Sequence, residues 1–183
     1  DPAAPAALGL LLLALLAVAL RPELAQLAWR EGRVTGFPID VLYRAVPVVL
    51  LALGMMLVIG SGGVDLSVGT VMVLTGTAAA SMLRATAWPG PLVLGLALAF
   101  GSLLGVANGL LIGALGLAPI VATLVLYTSG RGLAQVWTDG QIVPFTAASG
   151  QALARAPIAG LPASLWIAGL AVAVVGWLVR RTV

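Results

Sequence analysis

The sequence of 183 residues contains no cysteine, no histidine and no lysine. Without cysteine, disulfide bonds and thiolate metal sites are excluded, and without histidine so is acid–base chemistry that depends on an imidazole. The phosphate-binding P-loop pattern GxxxxGK[ST] needs a lysine and is therefore absent too. We accordingly predict no cofactor, no metal site and no ATP hydrolysis by this chain.

Charge is also scarce, because 8% of the residues are charged and 61% are hydrophobic. A soluble domain carries about 25% charged residues, so the composition predicts an integral membrane protein. The positive charges are all arginines, and the net charge is +3. They are spread over connecting segments, which argues against a nucleic-acid-binding patch.

Long apolar runs predict an all-α, polytopic fold, because a helix that crosses a membrane needs about 20 predominantly apolar residues. Six spans are predicted, at residues 3–20, 45–59, 66–83, 92–115, 119–137 and 164–179. Residues 21–44 are predicted to form a polar, partly interfacial connection, and residues 139–162 an ordered loop or short surface helix. Because the chain begins with Asp1 rather than methionine, we expect residues 1–183 to be one transmembrane domain from the N-terminal part of a longer protein.

A glycine-rich stretch at residues 60–69, which includes Gly62, Gly63 and Gly69, separates the second predicted span from the third. Glycines at this density do not suit a continuous helix, so we expect a break there. Asp65 lies in this stretch, although a carboxylate at bilayer depth costs roughly 2.5 kcal/mol or more. Three roles stay open for Asp65: an anchor at the start of the third helix with help from Ser67, part of a gate or translocation path, or a proton carrier.

The fourth predicted span carries a small residue at every fourth position, namely Ala97, Gly101, Gly105, Gly109 and Gly113. On a helix these positions form a nearly straight stripe along which another helix can pack closely. Asn108 lies beside the stripe. We interpret Asn108 as an interhelical hydrogen-bond donor, with a pore-lining role as the alternative.

Further polar residues lie in or just after the fifth predicted span. Thr123, Gln135 and Gln141 are candidates for lining a polar passage, although such side chains more often bond neighbouring helices. We expect Arg131 to extend to the membrane surface or to pair with Asp139, with a contact to a transported solute as the alternative.

Several segments together resemble the bacterial ABC-transporter sugar permeases of the ribose/xylose/galactose type. They occur in the same order as in that family: LGMMLVI at 53–59, GGVDLSVG at 62–69, ANGL at 107–110, PIVATL at 119–124 and GRGLA at 130–134. The segment GQIV at 140–143 and the first connection most resemble the galactofuranose permeases within it. The resemblance covers nearly the whole chain.

The resemblance implies a permease subunit of around ten spans in the bacterial inner membrane, of which this chain supplies about the first six. It implies a second permease subunit, identical or different, together with cytoplasmic ATPase subunits, a periplasmic sugar-binding protein and membrane lipid as partners. The implied function is the import of a monosaccharide, with ATP hydrolysis on the partner, so that the chain is not an enzyme. The segment that couples to the ATPase is implied to begin just after Thr182.

The alternative function is an ion- or proton-coupled carrier or channel that uses Asp65. A membrane enzyme is disfavoured because the sequence has no histidine, no cysteine and no paired carboxylates. Orientation has two conflicting indications. Most arginines lie in the first, third and fifth connections, which favours a cytoplasmic location for them. The resemblance instead implies a cytoplasmic N-terminus and periplasmic connections, and we adopt this as the expectation.

Overall fold

The computed structural model describes residues 3–30, 32–144 and 156–182. These residues form six helices, α1 (Ala3–Leu20), α2 (Phe37–Gly60), α3 (Val68–Ala85), α4 (Gly90–Gly113), α5 (Pro119–Trp137) and α6 (Ala163–Thr182). Each predicted span thus coincides with a helix. Four of the helices, α2, α3, α4 and α6, are long and apolar enough to cross a membrane. The count of six membrane crossings therefore stays a prediction.

The start of α2 corrects the predicted second span. The helix begins at Phe37 rather than at residue 45, with Pro38 in its first turn, where a missing N–H does little harm. The prediction of a polar connection is therefore wrong for residues 37–44. The charges of Asp40 and Arg44 favour a connecting segment, but the helix holds both residues at its exposed surface. Pro47 accordingly lies inside α2.

Two antiparallel hairpins correct the all-α prediction, although the fold is mostly helical. The strands are β1 (Ala28–Arg30) with β2 (Arg33–Thr35), and β3 (Pro157–Ile158) with β4 (Leu161–Pro162). Strands of two or three residues are too short to produce a hydrophobic periodicity, so the sequence pattern did not predict them. Residues 145–155, which belong to the predicted connection at 139–162, lie outside the described residues.

The two hairpins contact each other. The backbone N–H of Val34 donates to the carbonyl oxygen of Gly160 at 2.8 Å. Ala159 and Gly160 have φ angles of 51° and 82°, and positive φ at both central residues is typical of a two-residue type I′ turn. A Cβ on Gly160 would lie 2.7 Å from the ring of Trp29, so the contact requires glycine there. Because α2 to α5 run between the hairpins, the chain returns to the same end of the bundle after four helices.

Helix α3 is the centre of the bundle. It packs against α4 and α5, while α2 packs against α6. Leu74 and Ala78 of α3 are each 1% exposed. The O–H of Thr70 donates to the carbonyl oxygen of Tyr127 at 3.1 Å, and a Cβ on Gly130 of α5 would overlap the side chain of Thr70. Helices α3 and α5 therefore approach closely, and α3 presents its two other faces to two separate cavities.

Candidate functional site

The first region of interest is the joint, which we define as residues 61–67 between α2 and α3. The N–H of Gly62 donates to the carbonyl oxygen of Ile59 at 2.9 Å, and the N–H of Gly63 donates to that of Val58 at 3.0 Å. These two bonds form a Schellman motif, which needs a left-handed residue just past the helix. Gly62 supplies it with a φ of 79°. Glycine at this position is thus the local reason why α2 ends where it does.

Asp65 holds the other end of the joint. Its Oδ1 accepts hydrogen bonds from the backbone N–H of Ser67 at 2.7 Å and from the Ser67 hydroxyl at 2.6 Å. Ser67 is the N-cap residue of α3 and is 1% exposed, while Asp65 is half-buried. A carboxylate that binds donors at this position compensates for the unpaired N–H groups of a helix start.

Two other helices reach the joint with buried polar side chains. Asn108 of α4, 8% exposed, donates through Nδ2 to the Ser67 hydroxyl at 3.1 Å. Thr123 of α5, 3% exposed, donates to the carbonyl oxygen of Pro119 at 2.9 Å, and the carbonyl oxygen of Val64 lies 3.5 Å from its hydroxyl. The joint is therefore held against α3, α4 and α5 at one end of the bundle.

A cavity of about 1000 Å³ opens beside the joint, between α2, α3 and α4. We call it the joint cavity. Its lining includes the predicted residues Gly62, Gly63, Asp65, Ser67, Asn108 and Thr123, and also Gly101, Gly105 and Gly109 of the small-residue stripe. Much of the remaining wall is apolar, with Leu51, Met72 and Leu98 among its residues. The sequence thus identified residues that are separated in the chain but line one cavity.

The opposite face of α3 borders a groove of about 750 Å³ shared with α5 and the segment that follows it. We call it the α3–α5 groove. It brings together the four other predicted residues Gly69, Arg131, Gln135 and Gln141. Thr77 of α3, which the sequence analysis did not select, lines it as well. The predicted residues therefore lie in two regions, on either side of α3.

Arg131 does not make the ion pair with Asp139, which was one of its two expected roles. Its Nη1 donates to the hydroxyl of Tyr127 at 2.9 Å, and its Cζ lies 5.5 Å from the centre of that ring. The expected partner Asp139 instead lies just past α5, with a φ of 49°. The pairing with Asp139 was wrong because Tyr127, one helical turn before Arg131 on α5, is a nearer partner.

The small-residue stripe of α4 is in contact with a neighbouring helix at one position. A Cβ on Gly101 would lie 3.1 Å from Cγ2 of Thr75 of α3. A Cβ on Gly105, Gly109 or Gly113 would meet nothing within 4 Å. Close packing along the whole stripe is therefore not seen within the described residues. At Gly105, Gly109 and Gly113 it stays a prediction.

Some contacts that hold the site together have no signal in the sequence. Thr70 and Tyr127 are far apart in the chain, and neither residue type nor spacing indicates that a threonine hydroxyl on one helix donates to a backbone carbonyl on another. Among the described residues there is no group of three or more His, Cys, Asp or Glu side chains that could hold a metal ion. Hydrogen-bonding groups, rather than ligands for a metal, therefore make up both regions.

Known proteins resemble this chain over most of its length. It is 43% identical over 178 residues to the galactofuranose transporter permease protein of Escherichia coli strain K12, covering 97% of this chain and 52% of that protein. It is 36% identical over 180 residues to the fructose import permease protein of Bifidobacterium longum, covering 94% of this chain and 50% of that protein. It is also 36% identical over 138 residues to the ribose import permease protein of Haemophilus influenzae, covering 73% of this chain and 42% of that protein.

The chain thus spans about half the length of these relatives. No solved structure matches it significantly. A family model described as "Branched-chain amino acid transport system / permease component" matches residues 37–183. That match includes α2 to α6, the joint and both cavities. On this evidence the chain belongs to the family of these membrane permease components.

Proposed function

We propose that the chain is the membrane-spanning part of a permease subunit in an ATP-driven, binding-protein-dependent importer of a monosaccharide. The observation that carries the proposal is membership of the permease family, together with relatives named for galactofuranose, fructose and ribose. The chain is a transport subunit of the bacterial inner membrane and not an enzyme. It forms the translocation path, and ATP hydrolysis takes place on a separate subunit.

We further propose that all six helices cross the membrane and that residues 1–183 are one transmembrane domain of a longer permease. The contact between Val34 and Gly160 supports this, because it requires an even number of crossings between the two hairpins. The hairpins then lie on the periplasmic side. The glycine-rich joint lies at the opposite end of the bundle, near the cytoplasmic surface.

The proposed partners follow from the same family membership. Cytoplasmic ATPase subunits drive the transport cycle, a second permease subunit completes the membrane part, and a periplasmic sugar-binding protein delivers the solute. Exposed leucines along α1, such as Leu10 at 69% and Leu13 at 64%, would contact lipid or another subunit. Nucleic acid is not among the proposed partners.

Within the subunit we assign Asp65 the role of an anchor for the start of α3. The two hydrogen bonds from Ser67 to one carboxylate oxygen support this role. The bond from Asn108 to Ser67 extends the same network to α4. In this assignment Gly62 and Gly63 provide the break, and the network sets the angle at which α3 leaves it.

The test of the proposed function is uptake of radiolabelled solutes by cells that express the full-length permease with its ATPase and binding protein. We expect uptake of at least one monosaccharide, dependent on the ATPase and on the binding protein. The panel includes galactofuranose, ribose and fructose, and also leucine and isoleucine because of the description of the family. Uptake of the amino acids and of no sugar would contradict the proposed substrate class.

A further inference from the structure

We propose that the transported monosaccharide binds in the α3–α5 groove, through the side chains of Thr77, Arg131, Gln135 and Gln141. This inference rests on the proposed function and adds to it which of the two cavities receives the sugar. The joint cavity is larger, at about 1000 Å³ against about 750 Å³ for the groove. The assignment therefore depends on the chemistry of the walls rather than on their size.

Most polar side chains that line the joint cavity are already bonded within the protein, and Ser102 is the exception among these described residues. Asp65, Ser67 and Asn108 form one connected set. Thr75 donates to the carbonyl oxygen of Val71 at 2.7 Å. A sugar entering this cavity would have to compete with these bonds, because their donors are already committed.

In the groove, Thr70 and Thr138 donate to backbone carbonyl oxygens, but three other polar side chains are free. Thr77, Gln135 and Gln141 make no side-chain hydrogen bond to any residue in the described ranges 3–30, 32–144 and 156–182. Gln135 and Gln141 are exposed at the open side of the groove, so their amides can pair with water or with a solute. The groove has room for both. Its unpaired amides and hydroxyl therefore point to a ligand that carries many hydroxyl groups.

The charge of the groove fits a neutral solute. Among its lining residues, which all belong to the described part of the chain, Arg131 is the one charged side chain. Its guanidinium is already bonded to the hydroxyl of Tyr127, and its remaining N–H groups can donate to a sugar hydroxyl. No carboxylate lines the groove, so nothing in it favours a cation. A few separate hydrogen bonds would hold a sugar weakly, which suits a passage because the solute must leave again.

The positions of these groups on their helices place them along one passage. Arg131 and Gln135 are four residues apart on α5 and lie one above the other on the same face. Thr77 faces them from α3, and Gln141 follows just past the end of α5. Gly69 and Gly76 add no side chain to the α3 wall, which leaves the passage open between the polar groups.

Cysteine labelling in the full-length transporter tests the assignment, since this chain has no cysteine of its own. The Thr77→Cys, Gln135→Cys and Gln141→Cys proteins, each in an otherwise cysteine-free permease, are treated with a water-soluble thiol reagent. We expect all three to be labelled, and we expect the transported sugar to slow the labelling. Thr75→Cys, two residues from Thr77 but on the wall of the joint cavity, is the matched control, and sugar should not protect it.

Uptake kinetics provide a second readout that a purely structural role would not change. Loss of one hydrogen bond to the sugar should raise KM about three- to tenfold in the Gln135→Ala and Gln141→Ala transporters, with little change in abundance. The matched control is Gln26→Ala, since Gln26 is exposed and lines neither cavity. Its KM should stay that of the unmodified transporter.

The possible failures are distinguishable. If the unmodified transporter imports no monosaccharide, the proposed function is overturned, and the sugar assignment of the groove falls with it. If it imports a sugar but the groove variants keep their KM and their labelling is unprotected, the groove assignment alone is overturned. Protection of Thr75→Cys in place of Thr77→Cys would place the sugar in the joint cavity and would likewise overturn it.

Discussion

The joint cavity and the α3–α5 groove lie on two faces of α3, but their polar side chains differ in how they are hydrogen-bonded. At the joint, Asp65, Ser67 and Asn108 bond one another at 2.6 to 3.1 Å. In the groove, Gln135 and Gln141 have side-chain amides without a partner among the described residues. Polar residues in membrane helices are costly in both cases. The difference teaches that the fold itself accounts for the paired polar groups of the joint, whereas the free amides of the groove are available to water or to a solute.

The comparison requires that α3 packs closely against α5 and so forms a wall of both cavities. A substitution at Gly130 tests this packing. A Cβ there would overlap Thr70 and lie 3.0 Å from Leu74. We expect Gly130→Ala to lower the free energy of unfolding by about 1–3 kcal/mol, because the two helices would be forced apart. The measurement is the thermal unfolding midpoint of the purified full-length permease.

Gly132, two residues along the same helix, supplies the matched control. A Cβ there would meet nothing within 4 Å. Gly132→Ala should therefore be neutral or stabilise the helix by up to about 1 kcal/mol. Equal unfolding midpoints for the two variants would show that α3 and α5 do not approach as described.

An effect of similar size is expected at Asp65. Asp65→Leu removes the acceptor of both Ser67 hydrogen bonds and should lower the free energy of unfolding by about 1.5–3 kcal/mol, with reduced abundance in the membrane. Asp65→Asn keeps an oxygen at the same position, so it should retain part of the stability and part of the uptake. Quantitative blotting, thermal unfolding and uptake assays measure these outcomes. An Asp65→Leu transporter with normal abundance and normal uptake would contradict the anchor role.

The third prediction isolates the connection between the joint and α4. A double-mutant cycle with Ser67→Ala and Asn108→Ala should give a coupling energy of about 0.5–1.5 kcal/mol, which is the usual contribution of one hydrogen bond. Replacing either residue alone should lower the unfolding midpoint without a specific effect on the KM of uptake. Additive effects of the two substitutions would mean that the 3.1 Å contact contributes no stability.

The smallest effect is expected within the small-residue stripe. A Cβ on Gly101 would lie 3.1 Å from the methyl group of Thr75, whose rotamer is held by a 2.7 Å hydrogen bond to Val71. Gly105 has no such neighbour. We therefore expect Gly101→Ala to be less stable than Gly105→Ala by about 1 kcal/mol, because only the second gains helix propensity without crowding. If Gly105→Ala is the less stable variant in the full-length permease, another element packs against the stripe at Gly105.

The helices were predictable because long apolar runs broken by glycine, proline and arginine carry a strong signal. The start of α2 was not, since the rule that charged residues mark connections fails where a helix extends beyond the apolar core of the membrane and keeps Asp40 and Arg44 exposed. The hairpins were not predictable either. Their strands are too short for a periodic pattern, and their contact through Val34 and Gly160 joins distant parts of the chain.

The candidate residues were chosen from the sequence because a polar or glycine residue in an apolar run is conspicuous whatever surrounds it. Their arrangement was not. Gly69 and Ser67 are two residues apart, but they line different cavities because successive residues of a helix point in different directions. A pair with Asp139 was one of two expected roles of Arg131, because opposite charges attract, whereas the structure gives Arg131 the hydroxyl of Tyr127.

Composition and order along the chain are sufficient to establish a membrane protein, the helical segments and the family, since these depend on local hydrophobicity and on short motifs. Tertiary packing alone decides which polar groups are paired and which are free. Whether a hydrogen bond forms depends on a distance of about 3 Å between atoms, and residues such as Asn108 and Ser67 reach it only once α3 and α4 have packed together.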